Sequence, residues 1–199
     1  MMHNNLFLNR LRIITDNGEV AYDEIFHKGV NIIRGDNSSG KSTITHFIFY
    51  VLGGAFNDFV PEARMCSQAI AEVEMNNAIF TIKRDVIKDD EGNIGTQSPL
   101  HFFWGNMEES FNPPSDKGWQ VFGYKTTENR KSFSNVLFDN LGLPIVKGDS
   151  NITFHQILRL LYIDQDSPTS SLFYYEHFDS QLTRETISDL LLGVYNEEL

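Results

Sequence analysis

The spacing of apolar positions changes along the chain, and each change predicts a different element. Residues 6–15, LFLNRLRIIT, are apolar and rich in β-favouring types, and Asn17-Gly18 follows, the strongest short hairpin signal, before EVAYDEIF. An antiparallel hairpin is expected to open the fold. GVNIIRG then reads as a short apolar strand. From Lys41 onward Ile44, Phe47, Ile48, Val51 and Leu52 recur at helical spacing, with Gly53-Gly54 as a stop. Strand, loop and helix therefore follow one another across residues 30–54.

Between Ser67 and Trp104 the period becomes two. AIAEVEM, a turn at Asn76-Asn77, AIFTIKRDVI, the polar turn KDDEGN and PLHFFWG predict a three-stranded meander. NPPSDKG reads as a loop, WQVFGYKTT as one more strand, and SFSNVLFDNLGLP as a short helix closed by Gly142 and Pro144. Thr153 to Gln156 has the form of a capping box, and Phe154, Ile157, Leu158, Leu161 and Tyr162 follow at helical spacing. YIDQDSPTSS is loop-like. A last helix is expected through Leu182, Ile187, Leu190, Leu191 and Val194, with no convincing stop, and NEEL looks like an element cut short.

Composition narrows the class. The 199 residues are 41% hydrophobic and 13% aromatic, enough for a real core and too apolar for a disordered chain. A formal charge of −11 with 16 scattered Lys and Arg argues against a long-range pull on polyanions, so any nucleic-acid contact must be local. The single cysteine, Cys66, excludes an internal disulfide and a Cys-rich zinc site, and it reads as a small buried or half-buried residue. No leader-like apolar core and no stretch near 20 apolar residues is present, so a cytoplasmic protein outside the membrane is expected. The histidines show no metal-ligand spacing.

The chemistry concentrates in RGDNSSGKSTITHF. Gly35, four residues, then Gly40-Lys41-Ser42 is the spacing of a phosphate-cradling P-loop. Glycines are needed because the backbone must turn tightly and aim several N–H groups at a phosphate. Lys41 would reach the β- and γ-phosphates, Ser42 would offer its hydroxyl to Mg²⁺, and Thr43 would lie near the α-phosphate at the positive end of the helix. Such a match arises by accident in roughly one chain in a hundred of this length, and here it also sits between an apolar strand and an amphipathic helix, as the motif requires.

A complete nucleotidase needs more: a carboxylate for the Mg²⁺ and a residue to orient the attacking water. The sequence offers Asp164, after the apolar run LLYI, although that run belongs to a helix by its spacing. Gln165 is the other candidate, a loop glutamine whose carbonyl touches Mg²⁺ and the attacking water. A solvated turn without either role remains the third reading.

The N-terminal hairpin, GVNIIRGDNSSGKSTI, the meander, YIDQ and a helix leaving the globule together resemble the N-terminal half of the SMC, RecN and SbcC class of ABC-type ATPases. That resemblance implies an α/β P-loop head lobe with an antiparallel β-meander and a helical tail leading toward a coiled coil. Its P-loop and meander part would span 1–150 and its glutamine-loop helical part 151–199. It implies ATP and Mg²⁺ as cofactors. Gly35, Asn37, Ser38, Ser39, Gly40, Lys41, Ser42 and Thr43 match the phosphate loop, Gln165 matches the glutamine loop, and Arg64 is the nearest match to a basic residue that such heads carry after the first helix. An ordinary surface arginine is the competing reading of Arg64. No signature-like or acidic strand-end segment occurs, so half a head is expected, active only with a C-terminal lobe and within a homodimer of heads. DNA would be the partner of the full assembly. LRLLYIDQDSPTSSLF and TRETISDLLLGVYNEEL look more like SMC-like subunits of anti-phage defence systems such as the Lamassu type, which implies a nuclease-type effector partner.

Arg10 and Arg12 could approach a nucleotide from the first strand in that arrangement, although the Asn17-Gly18 hairpin leaves their alignment with the family open. Lys83-Arg84, Lys125 and Arg130-Lys131 are candidates for a DNA-facing edge, although short basic pairs are usually solvated faces. Phe102, Phe103 and Trp104 fit core packing better than base stacking. Two other functions stay open: a self-contained small P-loop phosphotransferase, and a scaffold that uses bound ATP only to hold lobes together.

Overall fold

A computed structural model describes residues 5–56, 58–144, 152–163 and 180–194. Its centre is a six-stranded, wholly antiparallel sheet in the order β2-β1-β3-β4-β5-β6. The strands are β1 (Leu6–Thr15), β2 (Val20–Ile25), β3 (Cys66–Met75), β4 (Ala78–Asp85), β5 (Leu100–Phe103) and β6 (Gln120–Phe122). Asn76 and Asn77 turn β3 into β4 with φ of 49° and 68°, the left-handed pair that a two-residue hairpin demands and that asparagine tolerates. The hairpin and the meander expected from the period of two are both present, with β6 much shorter than WQVFGYKTT.

Register gives each face its character. Leu11, Ala71, Ile82 and Phe102 pair side by side across four strands, and all four are fully buried. The same core takes Phe47, Tyr50 and Val51 from α1 (Lys41–Val51) and Phe133, Leu137 and Phe138 from α3 (Phe133–Leu141). On the other face Arg10, Glu72, Thr81 and Phe103 pair in line. There a short helix that the sequence did not suggest, α2 (Met107–Phe111), docks through the Met107 N–H on Glu72, 2.9 Å away. Its start is set by Asn106, whose side chain accepts the Glu109 N–H at 2.8 Å.

Helix α4 (Phe154–Leu161) begins at the expected capping box, where Gln156 reaches back to the Thr153 N–H at 2.8 Å. It packs between α3 and α5 (Gln181–Leu192). Helix α5 does stop: Gly193, at φ 70°, returns its N–H to Leu190 and Val194 returns its own to Asp189, so the expectation of a helix without a stop is corrected. None of the described helices is long and apolar enough to cross a membrane.

GVNIIRG departs from expectation. Residues 30–36 form no strand, and Val30 and Ile32 are 82% and 70% exposed. An extended segment becomes a strand only where a neighbour completes its hydrogen-bond ladder. Among the described residues none does.

Candidate nucleotide-binding site

The phosphate loop is assembled by backbone conformation. Ser38 adopts φ 60° and Gly40 φ 85°, two left-handed turns within three residues, and helix α1 starts immediately afterwards. At Gly35 an added Cβ would lie 2.5 Å from the Ser39 hydroxyl, so a side chain there would require Ser39 to turn away. The first helical bond of α1 runs from the Ile44 N–H to the Gly40 carbonyl at 3.0 Å. Helical geometry therefore leaves the N–H groups of Lys41, Ser42 and Thr43 without an intrahelical acceptor, pointing toward the loop.

Lys41 folds back over this loop. Its ammonium donates to the Asp36 carbonyl at 2.6 Å and to the Gly35 carbonyl at 2.9 Å. Ser42 stands exposed in the first turn, and its carbonyl receives the Thr45 hydroxyl at 2.7 Å. Asn37 and Ser39 are exposed on the loop rim, with the Ser39 N–H turned to the Asp36 carbonyl at 3.3 Å. An anion seated here would meet three helix-end amides, an ammonium and a hydroxyl, with no side chain at Gly35 or Gly40 to obstruct it.

The approach to the loop is fixed from the sheet. Asn31 accepts the His27 N–H at 3.0 Å and donates to the His27 carbonyl at 2.8 Å, closing a turn around Gly29. Lys28 bonds Glu74 at 2.6 Å and lies over the Phe7 ring. Alongside runs an open groove of about 530 Å³ lined by Leu8, Phe26, Ile33, Thr45 and Ile48.

Other expected residues fall elsewhere. The Arg64 guanidinium is held within its own turn by the Phe59 carbonyl at 2.8 Å. Arg10 and Arg12 converge on Asp23 at 2.7 and 2.8 Å, Arg10 also pairs with Glu108, and Arg12 lies over the Phe111 ring. These two arginines hold the Asp23 carboxyl below its usual range. They are tied to the sheet and to α2, so the expectation that they reach a nucleotide gains no contact here. Asp164 and Gln165 lie outside the described residues. The chain leading to them leaves α4 along α1, where the Tyr162 hydroxyl sits 3.5 Å from the Thr45 hydroxyl and its ring 4.9 Å from that of Phe49.

Arg84 is the largest correction. In place of a DNA-facing edge, it is fully buried behind the phosphate-loop helix. Strand alternation carried the signal: Ile82 and Arg84 share the core face, and only Lys83 turns outward, over the Trp119 ring. Phe102 and Phe103 are fully buried, as core packing required, while Trp104 keeps partial exposure against Phe80.

The family described as "AAA domain" matches residues 18–187 of the chain. No curated protein matches it.

Proposed function

The chain belongs to the AAA domain family of P-loop ATPases, and on that premise we propose that it is the nucleotide-gripping lobe of an SMC-like ATPase head, turning ATP over only with a complementary lobe. The observation that carries this reading is the pairing of two left-handed loop residues, Ser38 and Gly40, with the Lys41 ammonium folded over the Gly35 and Asp36 carbonyls at the start of α1.

Within that reading the residues divide the work. Amides 41–43 and the lysine ammonium hold the phosphates and keep the terminal one oriented, and Gly35 and Gly40 let the backbone approach closely. Mg²⁺ would be held through the exposed Ser42 hydroxyl, with Gln165 as the second ligand suggested by the sequence. When bound, the metal would neutralise charge on the β- and γ-phosphates.

Two surface features support a missing lobe. Val30 and Ile32 leave an apolar segment exposed beside the loop, with no partner strand among the described residues, and Ile25 at the end of edge strand β2 is 78% exposed. Unpaired edges of this kind are normally covered. A strand from a second lobe would complete the ladder that residues 30–34 lack, and two such heads would enclose two ATPs. Action on DNA, in repair or in anti-phage sensing with an effector partner, follows from the resemblance to SMC-like proteins.

The test is titration of the protein with ATP and Mg²⁺, followed by turnover measured with and without the remainder of the head. Binding that Lys41→Ala weakens roughly 10- to 100-fold, with negligible turnover by residues 1–199 alone, is the expected result. Vigorous turnover by these residues alone would overturn the divided-head reading and favour a self-contained enzyme using Asp164.

A further inference from the structure

Arg84 is a buried cation surrounded by neutral acceptors. Its Nη1 donates to the Tyr50 carbonyl at 2.8 Å and to the Gly54 carbonyl at 2.7 Å, its Nη2 to the Thr96 carbonyl at 2.7 Å, and its Nε to the Ser98 hydroxyl at 3.0 Å. The guanidinium carbon lies 4.1 Å from the centre of the Tyr50 ring. Burying a charge in this way is costly, and desolvation pushes the arginine pKa down. The fork geometry and the carbonyl-rich surroundings offset that cost.

Location gives the arrangement its meaning. Tyr50 is in the last turn of α1 and Gly54 lies just beyond it, so Arg84 binds the carbonyl end of the helix whose amide end forms the phosphate site. A helix presents positive partial charge at its N-terminus against an equal negative charge at its C-terminus. A cation at the carbonyl end compensates the negative pole and leaves the positive pole less opposed. The turn that follows α1 is closely packed, since a Cβ at Gly53 would lie 2.8 Å from the Phe133 ring and one at Gly54 would meet the Phe49 ring.

We infer that Arg84 is a positioning residue for nucleotide binding, fixing the place and the charge balance of the phosphate-binding helix from its far end. The inference rests on the phosphate-loop reading above. Because the effect is in part electrostatic, it acts more strongly on ATP than on ADP.

The experiment measures ATP and ADP affinities in Mg²⁺ for the wild type, Arg84→Met, Arg84→Lys and Leu137→Ala, a core control on α3. Arg84→Met is expected to weaken ATP about tenfold and ADP less, the size expected for a unit charge acting along the roughly 16 Å of α1 at an effective dielectric of about 20. Arg84→Lys restores the ATP-to-ADP ratio, since it keeps the charge, but only part of the affinity, since it lacks the fork. Leu137→Ala lowers the melting temperature and leaves both affinities within about twofold. Equal losses in the control, an unchanged ATP affinity in folded Arg84→Met, or failure of both Arg84 variants to fold would each overturn the inference. Failure of the wild type to bind either nucleotide would instead remove the phosphate-loop reading, a distinguishable result.

Discussion

The ammonium of Lys41 lies 2.6 Å from the carbonyl oxygen of Asp36, five residues earlier in the same loop. The motif lysine thus holds the loop's own backbone in the shape that a phosphate would need. Lys41→Ala removes both this brace and the charge that would meet the β- and γ-phosphates. A loss of roughly 10- to 100-fold in ATP affinity is expected, the range of one to two charge-assisted hydrogen bonds. Calorimetric titration checks it, and an unchanged affinity would count against a nucleotide site at this loop.

Gly54→Ala should be strongly destabilising although it adds one methyl group. That methyl would lie 2.3 Å from the Phe49 ring and 2.6 Å from the Phe49 carbonyl. The backbone has little room to yield, since the Gly54 N–H is bound to that carbonyl and its own carbonyl to Arg84. Overpacking of this kind costs about 1–3 kcal/mol. Denaturant unfolding reads it directly.

Acid should weaken the contact between β1 and β2. Asp23 is held below its usual carboxyl range, first by the hydrogen bond from Arg10 and then by that from Arg12. Its stabilisation is therefore fully present above the unfolded-state pKa of about 4 and is lost as pH falls through the lower folded value. Asp23→Asn should cost up to about 1 kcal/mol at pH 7. The gap between the wild-type and Asp23→Asn melting temperatures should close in strong acid, and a constant gap would contradict the ion-pair account.

His101 should titrate below an ordinary histidine. Burial lowers its pKa first and the neighbouring Lys83 lowers it further, while Asp85, 3.5 Å away, pulls in the opposite direction. With the folded pKa depressed, the neutral form is favoured, and the stabilisation present above the unfolded pKa of about 6.5 is lost as pH falls through the folded value. Lys83→Met should move the midpoint upward in an NMR titration of the imidazole. A midpoint that stays fixed would assign the shift to burial alone.

The fold was legible wherever the pattern was local. The hairpin at Asn17-Gly18, the alternating strands on either side of Asn76-Asn77, the capping box at Thr153 and the helix after Gly40 each announce themselves within a few residues. Helix α2 did not, because five residues carry too little periodicity, and only the Asn106 cap hinted at it. Gly193 ends α5 as a glycine after apolar Leu190 to Leu192 ordinarily does.

The candidate site divides in the same way. The left-handed Gly40 just before α1 was legible because the motif is contiguous, whereas the left-handed Ser38 was not, since a serine carries no such signal. Arg64 and the Arg10–Arg12 pair were assigned by analogy of position. Their actual partners, Phe59, Asp23 and Glu108, come from the turn around Arg64 and from strands and helices packed against β1.

By itself the sequence determined the phosphate-loop motif, the opening hairpin, the meander and the helices that begin at Lys41, Phe133, Phe154 and Gln181, since these depend on period, turn chemistry and short-range spacing. Tertiary structure alone decided that Arg84 is buried against the carbonyl end of α1, and that Val30 and Ile32 find no partner strand among the described residues. Burial and strand pairing depend on which distant segments meet, and distance along the chain carries no record of that.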